Sequence, residues 1–209
     1  MASAIIFGVT GLTGKALLHN LANDSRYDKI YIVTRRPCGF IHPKVEEILF
    51  NYKDFSEMPA IKAQHVFSCL GTTIKKAGSK AAQQLIDRDY PISIAKYANT
   101  IGAEKMVCVS SVGADPKSGN FYLRTKGEME EGVKANFKNS VFVRPSFLLG
   151  DREEMRIGEK IGIAVFSVVN PLLFGGLNKY KGIHVSKLSK AMIEACFKDT
   201  KQELYYTDF

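Results

Sequence analysis

The sequence predicts one α/β domain built on a doubly wound parallel sheet of about seven strands, with helices on both faces. Three observations carry this expectation. An apolar, strand-like run near the N-terminus leads through a glycine-rich turn straight into a helix-spaced pattern. Short apolar runs then alternate with helix-spaced stretches along most of the chain, the pattern of right-handed crossovers between parallel strands. The chain has 209 residues, enough to bury one α/β core and too few for two.

Ala4, Ile5, Ile6, Phe7 and Val9 form the first run, apolar on both faces as a central parallel strand requires. Gly8, Gly11 and Gly14 follow in the spacing GxxGxxG, and Ala16, Leu17, Leu18 and Leu21 then recur at helical intervals. A strand, a glycine turn and a helix in this order form a site for a diphosphate. The glycines lack side chains that would hold the anion off the backbone, and the helix N-terminal N–H groups point at it with partial positive charge. Asn23, Asp24 and Ser25 mark a turn, and Ile30 to Val33 form a second strand ending in Thr34-Arg35-Arg36-Pro37. At this tip a dinucleotide fold meets the adenosine ribose, where an acid accepts from a free 2′-hydroxyl and an arginine accommodates a 2′-phosphate. With Arg35 and Arg36 here and no acid, NADP(H) is expected in preference to NAD(H).

Val45 to Phe50 reads as a third strand, which would place Asn51 to Asp54 beside the adenine. His65 to Leu70 is a fourth, followed by Gly71-Thr72-Thr73. Gly71 lets the backbone approach a ligand and the hydroxyls can bond ribose or phosphate; a helix cap at Thr72 or Thr73 explains the same hydroxyls. A helical region from Lys80 to Thr100 is interrupted near Pro91, and Met106 to Val109 is a fifth strand delivering Ser110 and Ser111. After an exposed connection, Val112 to Asn120, a helix runs from Phe121 to Asn136, and Val141 to Val143 is a sixth strand ended by Arg144-Pro145-Ser146. From Leu148 the pattern loosens, and residues 148–185 are expected to form a substrate-facing excursion. Ile183 and Val185 are extended, Ser186 to Phe197 is an amphipathic helix opened by a serine cap, and Leu204 to Tyr206 is a last strand.

Composition bounds the function. The four cysteines, Cys38, Cys69, Cys108 and Cys196, lack metal-ligand spacing, and the four histidines fall in separate elements, so no metal site is expected. Cysteines inside apolar runs and a first strand without a basic leader point to the cytoplasm. The longest apolar stretch, Ile161 to Leu177, contains Asn170, Pro171 and three glycines and is a poor spanning helix; contact with a membrane surface through it stays open, as does self-association. The net charge of +8 is scattered and accompanied by no nucleic-acid motif, so it reads as a solvated surface that favours an anionic cofactor rather than nucleic acid.

Tyr122 and Lys126 lie four apart at the start of a predicted helix, so both project from one face toward the strand ends. A lysine ammonium beside a phenol favours the phenolate and suits the phenol to proton transfer, and the same ammonium can hold ribose hydroxyls. Ser111, or failing it Ser110, could bond a substrate carbonyl beside the tyrosine.

The motifs GVTGLTG (Gly8 to Gly14), CLGTT (Cys69 to Thr73), SSVGAD (Ser110 to Asp115), FYLRTKGEME (Phe121 to Glu130) and RPSFLLGDRE (Arg144 to Glu153) resemble the atypical short-chain dehydrogenase/reductases. The branch they are most similar to is the one named for the Tat-interacting oxidoreductase. IHVSKLSKAM (Ile183 to Met192) is a weaker echo. The resemblance implies a Rossmann fold, NADP(H) binding, and a catalytic set falling on Ser111, Tyr122 and Lys126. It extends the cofactor-binding residues to Gly8, Thr10, Gly11, Leu12, Thr13, Gly14, Arg35, Arg36, Leu70, Gly71, Thr72, Lys126 and Pro145. One departure is the interval from Ser111 to Tyr122, shorter than in typical family dehydrogenases.

The expected activity is hydride transfer between NADP(H) and a small carbonyl or alcohol substrate, with Tyr122 exchanging the proton. Two alternatives remain open: an NADP(H)-binding redox sensor with little turnover, and a redox-neutral epimerase or dehydratase that keeps its cofactor.

Overall fold

The computed structural model describes residues 1–150, 181–205 and 208. Its strands are β1 (Ala2–Phe7), β2 (Tyr27–Thr34), β3 (Val45–Leu49), β4 (His65–Ser68), β5 (Lys105–Val109), β6 (Ser140–Val143), β7 (Leu148–Leu149), β8 (Ile183–His184) and β9 (Glu203–Leu204). The helices are α1 (Leu12–Ala22), α2 (Ile74–Ala77), α3 (Lys80–Gln84), α4 (Tyr90–Thr100), α5 (Phe121–Asn136) and α6 (Val185–Phe197).

Seven strands form one parallel sheet in the order β3-β2-β1-β4-β5-β6-β9, and β7 pairs with β8 in a small second sheet. The chain winds outward from β1 to β3, then crosses back to β4 and winds outward the other way. The order therefore reverses between β1 and β4, and a crevice opens outside their carboxyl ends at that switch point. The register makes those ends level: Phe7 pairs with both Val33 and Ser68, and Ser68 pairs with Cys108.

The apolar run of β1 is explained by burial on two sides. Ala4 and Ile6 join one cluster with Leu17 and Leu21 of α1 and Leu188 and Met192 of α6. Ile5 and Phe7 join the other with Ile94 and Ala98 of α4 and Met129 and Val133 of α5. Each of these residues is completely or almost completely withdrawn from water, worth about 1.5–3 kcal/mol for each large side chain.

The structure bears out the expected interruption of the helical region and departs from the sequence expectations at three places. The helical region is interrupted over Leu85–Asp89, just before Pro91, by one π-helical turn in which the Tyr90 N–H reaches the Leu85 carbonyl. Proline offers no N–H and its ring crowds the carbonyl four residues back, that of Asp87; the widened turn relieves the conflict. Asn51 to Asp54 contribute nothing to the cleft described below. Instead Tyr52, at a positive φ of 65°, turns inward against Phe50 and Phe55, its ring also edge-on to Phe7. The cap of α6 is His184, whose Nδ1 accepts from the Ser186 N–H at 3.3 Å, rather than Ser186 itself. The last strand ends at Leu204, and Tyr206 lies outside the described residues, as does the apolar stretch Ile161 to Leu177 and most of the 148–185 excursion.

Candidate functional site at the carboxyl edge of the sheet

The first turn is built by close approach. Gly8 has φ +85°, and a Cβ there would lie 2.8 Å from the Cys69 carbonyl; a Cβ on Gly14 would lie 2.2 Å from the Gly8 oxygen. These two glycines sit behind the turn and let α1 and the β4 loop press against it. Gly11 is different: its φ of −78° suits any residue, and a Cβ there would meet only the Gly8 oxygen, at 3.4 Å. Gly11 is the N-cap of α1 yet supplies no side-chain acceptor, and the first helical turn holds no acid. The first helical bond is from the Lys15 N–H to the Gly11 carbonyl (2.9 Å), so helix geometry leaves the N–H groups of Leu12, Thr13 and Gly14 without an intrahelical partner. Donors arranged in this way suit an anion.

Along the same edge, the cleft of about 660 Å³ is lined by Thr10, Gly11, Leu12 and Thr13 from the first turn, Leu70, Gly71 and Thr72 after β4, Ser110 and Ser111 after β5, Tyr122 and Lys126 of α5, and Pro145 after β6. These are the residues the sequence singled out, and the structure brings them together. Arg35 and Arg36 are exposed at the tip of β2 and do not line the cleft. That tip is also not free of acid: Glu47 of β3 reaches it, its Oε1 accepting from Thr34 Oγ1 (2.7 Å) and the Cys38 N–H (2.9 Å). These bonds hold the Glu47 carboxyl below the usual carboxylate range.

Asn120 caps α5, its Oδ1 accepting from the N–H groups of Tyr122 (2.9 Å) and Leu123 (3.2 Å). Tyr122 is 38% exposed, whereas Lys126, one turn along, is 2% exposed and donates from Nζ to the Val109 carbonyl at 3.3 Å. The short interval between Ser111 and Tyr122 closes because the connection lies flat on α5. A Cβ on Gly127 would sit 2.2 Å from the Pro116 nitrogen, and the Asp115 N–H bonds the Leu123 carbonyl.

The two serines are not equivalent. Ser110 Oγ donates to Glu130, which is itself held by the Arg144 guanidinium, with Nε to Oε1 at 2.9 Å. Ser111 Oγ makes only a long bond, 3.3 Å, to the Val112 carbonyl. The Glu130–Arg144 pair is almost wholly buried, and Arg144 also reaches Glu203 of β9 and Tyr205 just after it. Of the threonines, Thr73 caps α2 by accepting from the Lys76 N–H at 3.3 Å, so the cap explanation holds for Thr73 and not for Thr72.

Sequence reasoning missed Lys15, Lys76 and Asp87, which also line the cleft. Asp87 had a signal in Pro91, four residues on, whose disruption of the helix places Asp87 on the π-turn. Cys69 faces the cleft too, and burial pushes its thiol up to about 12, away from the thiolate form.

The seven-stranded order and the cleft at its switch point define a Rossmann-type α/β protein. Solved structures agree: an enzyme of Bordetella bronchiseptica, WbmH, in complex with NAD+ superposes with a TM-score of 0.74 at 14% identity, over 99% of this chain and 76% of that one. MoeE5 in complex with UDP-glucuronic acid and NAD gives 0.70 at 16% identity, over 96% and 74%. Sequence relatives go further. The mitochondrial FMP52 protein of Candida glabrata is 37% identical over 161 residues, covering 75% of this chain and 68% of that protein. Rat HTATIP2 is 36% identical over 163 residues, covering 75% and 67%. The FMP52 protein of Candida albicans is 32% identical over 210 residues, covering 97% and 91%. The chain belongs to the family of the FMP52 and HTATIP2 proteins. No protein-family model matches it.

These relatives correct the expected compartment. The FMP52 proteins of Candida glabrata, Eremothecium gossypii and Coccidioides immitis are all named mitochondrial, which points away from the cytoplasm. Unpaired cysteines speak only for the lack of disulfide formation and do not choose among compartments without it. No helix among the described residues is long and apolar enough to cross a membrane.

Proposed function

We propose that the protein is a nicotinamide-dinucleotide-dependent oxidoreductase that reduces a small carbonyl compound or oxidises the corresponding alcohol, with NADP(H) preferred. One observation carries the reading: an uncapped helix N-terminus behind a glycine turn, a serine, a tyrosine and a buried lysine line a single cleft along the β1-β4-β5 edge. The turn fits a diphosphate, because Gly11 leaves its backbone open where Gly8 and Gly14 are closed by the protein itself. Leu12 and Thr13 would hold the diphosphate through their N–H groups, Gly71 and Thr72 would face the adjoining ribose, and Lys126 the ribose nearer Tyr122. Arg35 and Arg36 support the 2′-phosphate preference, since the acid at that tip, Glu47, is engaged by Thr34 and Cys38.

When bound, the nicotinamide supplies or accepts the hydride. In the reducing direction Tyr122 gives its phenolic proton to the carbonyl oxygen, and Ser111 Oγ donates a hydrogen bond to that oxygen. Ser111 takes this role because Ser110 is committed to Glu130. Lys126 stabilises the resulting phenolate, and Tyr122, partly exposed, recovers its proton from water. The carbonyl carbon gains a hydride, its oxygen gains a proton, and an alcohol leaves.

NADPH oxidation followed against a panel of aldehydes and ketones, with the wild type and Tyr122→Phe, tests the reading. Turnover cut by roughly 10²- to 10⁴-fold in the variant, with cofactor affinity kept, is the expected result. Tight binding without turnover across the panel would mean a sensor instead, and product formed without net oxidation an isomerase.

A further inference from the structure

Asp87 is a carboxylate with no exposed surface, and among the described residues no lysine or arginine pairs with it. Burying such a group is expensive unless its hydrogen bonds do something specific. Its Oδ1 accepts from the Thr72 N–H at 2.8 Å. Gln83, also buried and one helical turn earlier, donates from Nε2 to the Thr72 carbonyl at 3.3 Å and to Asp87 Oδ2 at 3.4 Å. Both polar groups of Thr72 are thus gripped by two side chains of the helical region, as a neighbouring strand would grip them. Asp87 lies within the π-turn over Leu85–Asp89 that precedes Pro91, a local widening of the kind proline favours.

The gripped residue sits where it matters. β4 lies between β1 and β5, so a ligand stretching from the glycine turn to Ser111 and Tyr122 crosses the Gly71–Thr72 backbone. We infer that Asp87 and Gln83 are positioning residues that fix the Gly71–Thr72 turn in the orientation a bound dinucleotide requires, acting through the Thr72 peptide and not by touching the reacting atoms. The inference rests on the dinucleotide reading above. It adds that cofactor affinity is set partly by a buried carboxylate in the cleft wall that holds that turn.

The variants Asp87→Ala, Asp87→Asn and Gln83→Leu separate positioning from charge. Asparagine keeps an acceptor at Oδ1 for Thr72 and loses only the long contact to Gln83. Calorimetric titration should show Asp87→Ala weakening NADH and NADPH alike by about 10-fold, Asp87→Asn restoring most of that loss, and Gln83→Leu lying between. Hydrogen exchange at the Thr72 amide, read without any cofactor, should quicken in Asp87→Ala and return toward the wild-type rate in Asp87→Asn. Unchanged affinities in Asp87→Ala, or Asp87→Asn as weak as Asp87→Ala, would overturn the inference. Should the alanine variant fail to fold, Gln83→Leu carries the test, and unchanged affinity there would overturn it. A wild type that binds neither cofactor would defeat the dinucleotide reading instead, while the exchange experiment would still report on the grip.

Discussion

Replacing Gly11 with valine separates the folded turn from the ligand it is built to hold. The backbone at Gly11 is extended, with φ −78° and ψ 167°, and a Cβ meets only the Gly8 oxygen at 3.4 Å, an ordinary contact. The cost to the fold is therefore that of a poor N-cap, about 0.5–1 kcal/mol. Gly14→Ala is the opposite case: its Cβ would be 2.2 Å from the Gly8 oxygen and 2.7 Å from the Val9 Cα, both backbone, so the turn must move. That overpacking costs about 1–3 kcal/mol or more. For binding the order reverses. The isopropyl group introduced by Gly11→Val would stand where an anion must approach the N–H groups of Leu12 and Thr13, and loss of one charge-assisted bond alone is about 1.5–3 kcal/mol, roughly 10- to 150-fold in affinity. Thermal unfolding without ligand and titration with NADPH measure the two quantities on the same samples. Gly11→Val melting near the wild type but binding at least about 10-fold more weakly is the expected outcome. Normal binding by that variant, or a loss of stability as large as that of Gly14→Ala, would refute the assignment of the turn.

Three further outcomes follow from the geometry. If the buried Lys126 ammonium, seated at the Val109 carbonyl, serves ribose and phenol together as proposed, Lys126→Ala should damage both turnover and cofactor affinity, in contrast to Tyr122→Phe; steady-state kinetics with a separate titration read the two effects. His65, whose Nδ1 lies 2.7 Å from the Tyr27 hydroxyl, is held down to about 4 by burial and by the charges of Lys105 and Arg26. The unfolded chain takes up this proton near the ordinary histidine value while the folded protein resists it. Stability from this source is therefore complete above about pH 6.5 and lost as pH falls toward 4, by about 1–3 kcal/mol, and urea unfolding between about pH 7.5 and 4.5 should show a slope that His65→Gln flattens. Glu130→Ala should cost about 2–3 kcal/mol in the same assay by leaving the largely buried Arg144 with only its 3.4 Å contact to Glu203 and its bond to Tyr205, and pairing it with Arg144→Met should recover most of that loss.

What was legible in the sequence was local. The turn from β1 into α1, the helix over Phe121 to Asn136 and the succession of parallel strands all follow from apolar spacing within one element, and the structure places them as read. Even the convergence of Gly11, Gly71, Ser111 and Tyr122 was readable, because parallel strands deliver all their carboxyl ends to one edge. What escaped was contact between distant segments. Glu47 enters the tip of β2 from the neighbouring strand, Ser110 loses its hydroxyl to a glutamate 20 residues on, and Asp87 reaches Thr72 through a widened turn. Tyr52 turned inward because its aromatic neighbours Phe50, Phe55 and Tyr90 outweigh the cost of a positive φ, a preference no pattern within Asn51 to Asp54 contains. The compartment was misjudged for another reason: cysteine usage reports redox chemistry, not address.

On the proposed reading, the cleft holds a nicotinamide dinucleotide along the β1-β4-β5 edge and distinguishes its phosphorylated form at the β2 tip. Calorimetric titration of NADPH and NADH into the wild type and into the Arg35→Ser/Arg36→Ser double variant tests it most directly. The wild type should bind both, NADPH about 10- to 150-fold more tightly, and the double variant should lose this preference while its NADH affinity is nearly unchanged. Equal wild-type affinities would contradict the assignment of the arginines, and binding of neither cofactor would contradict the site itself.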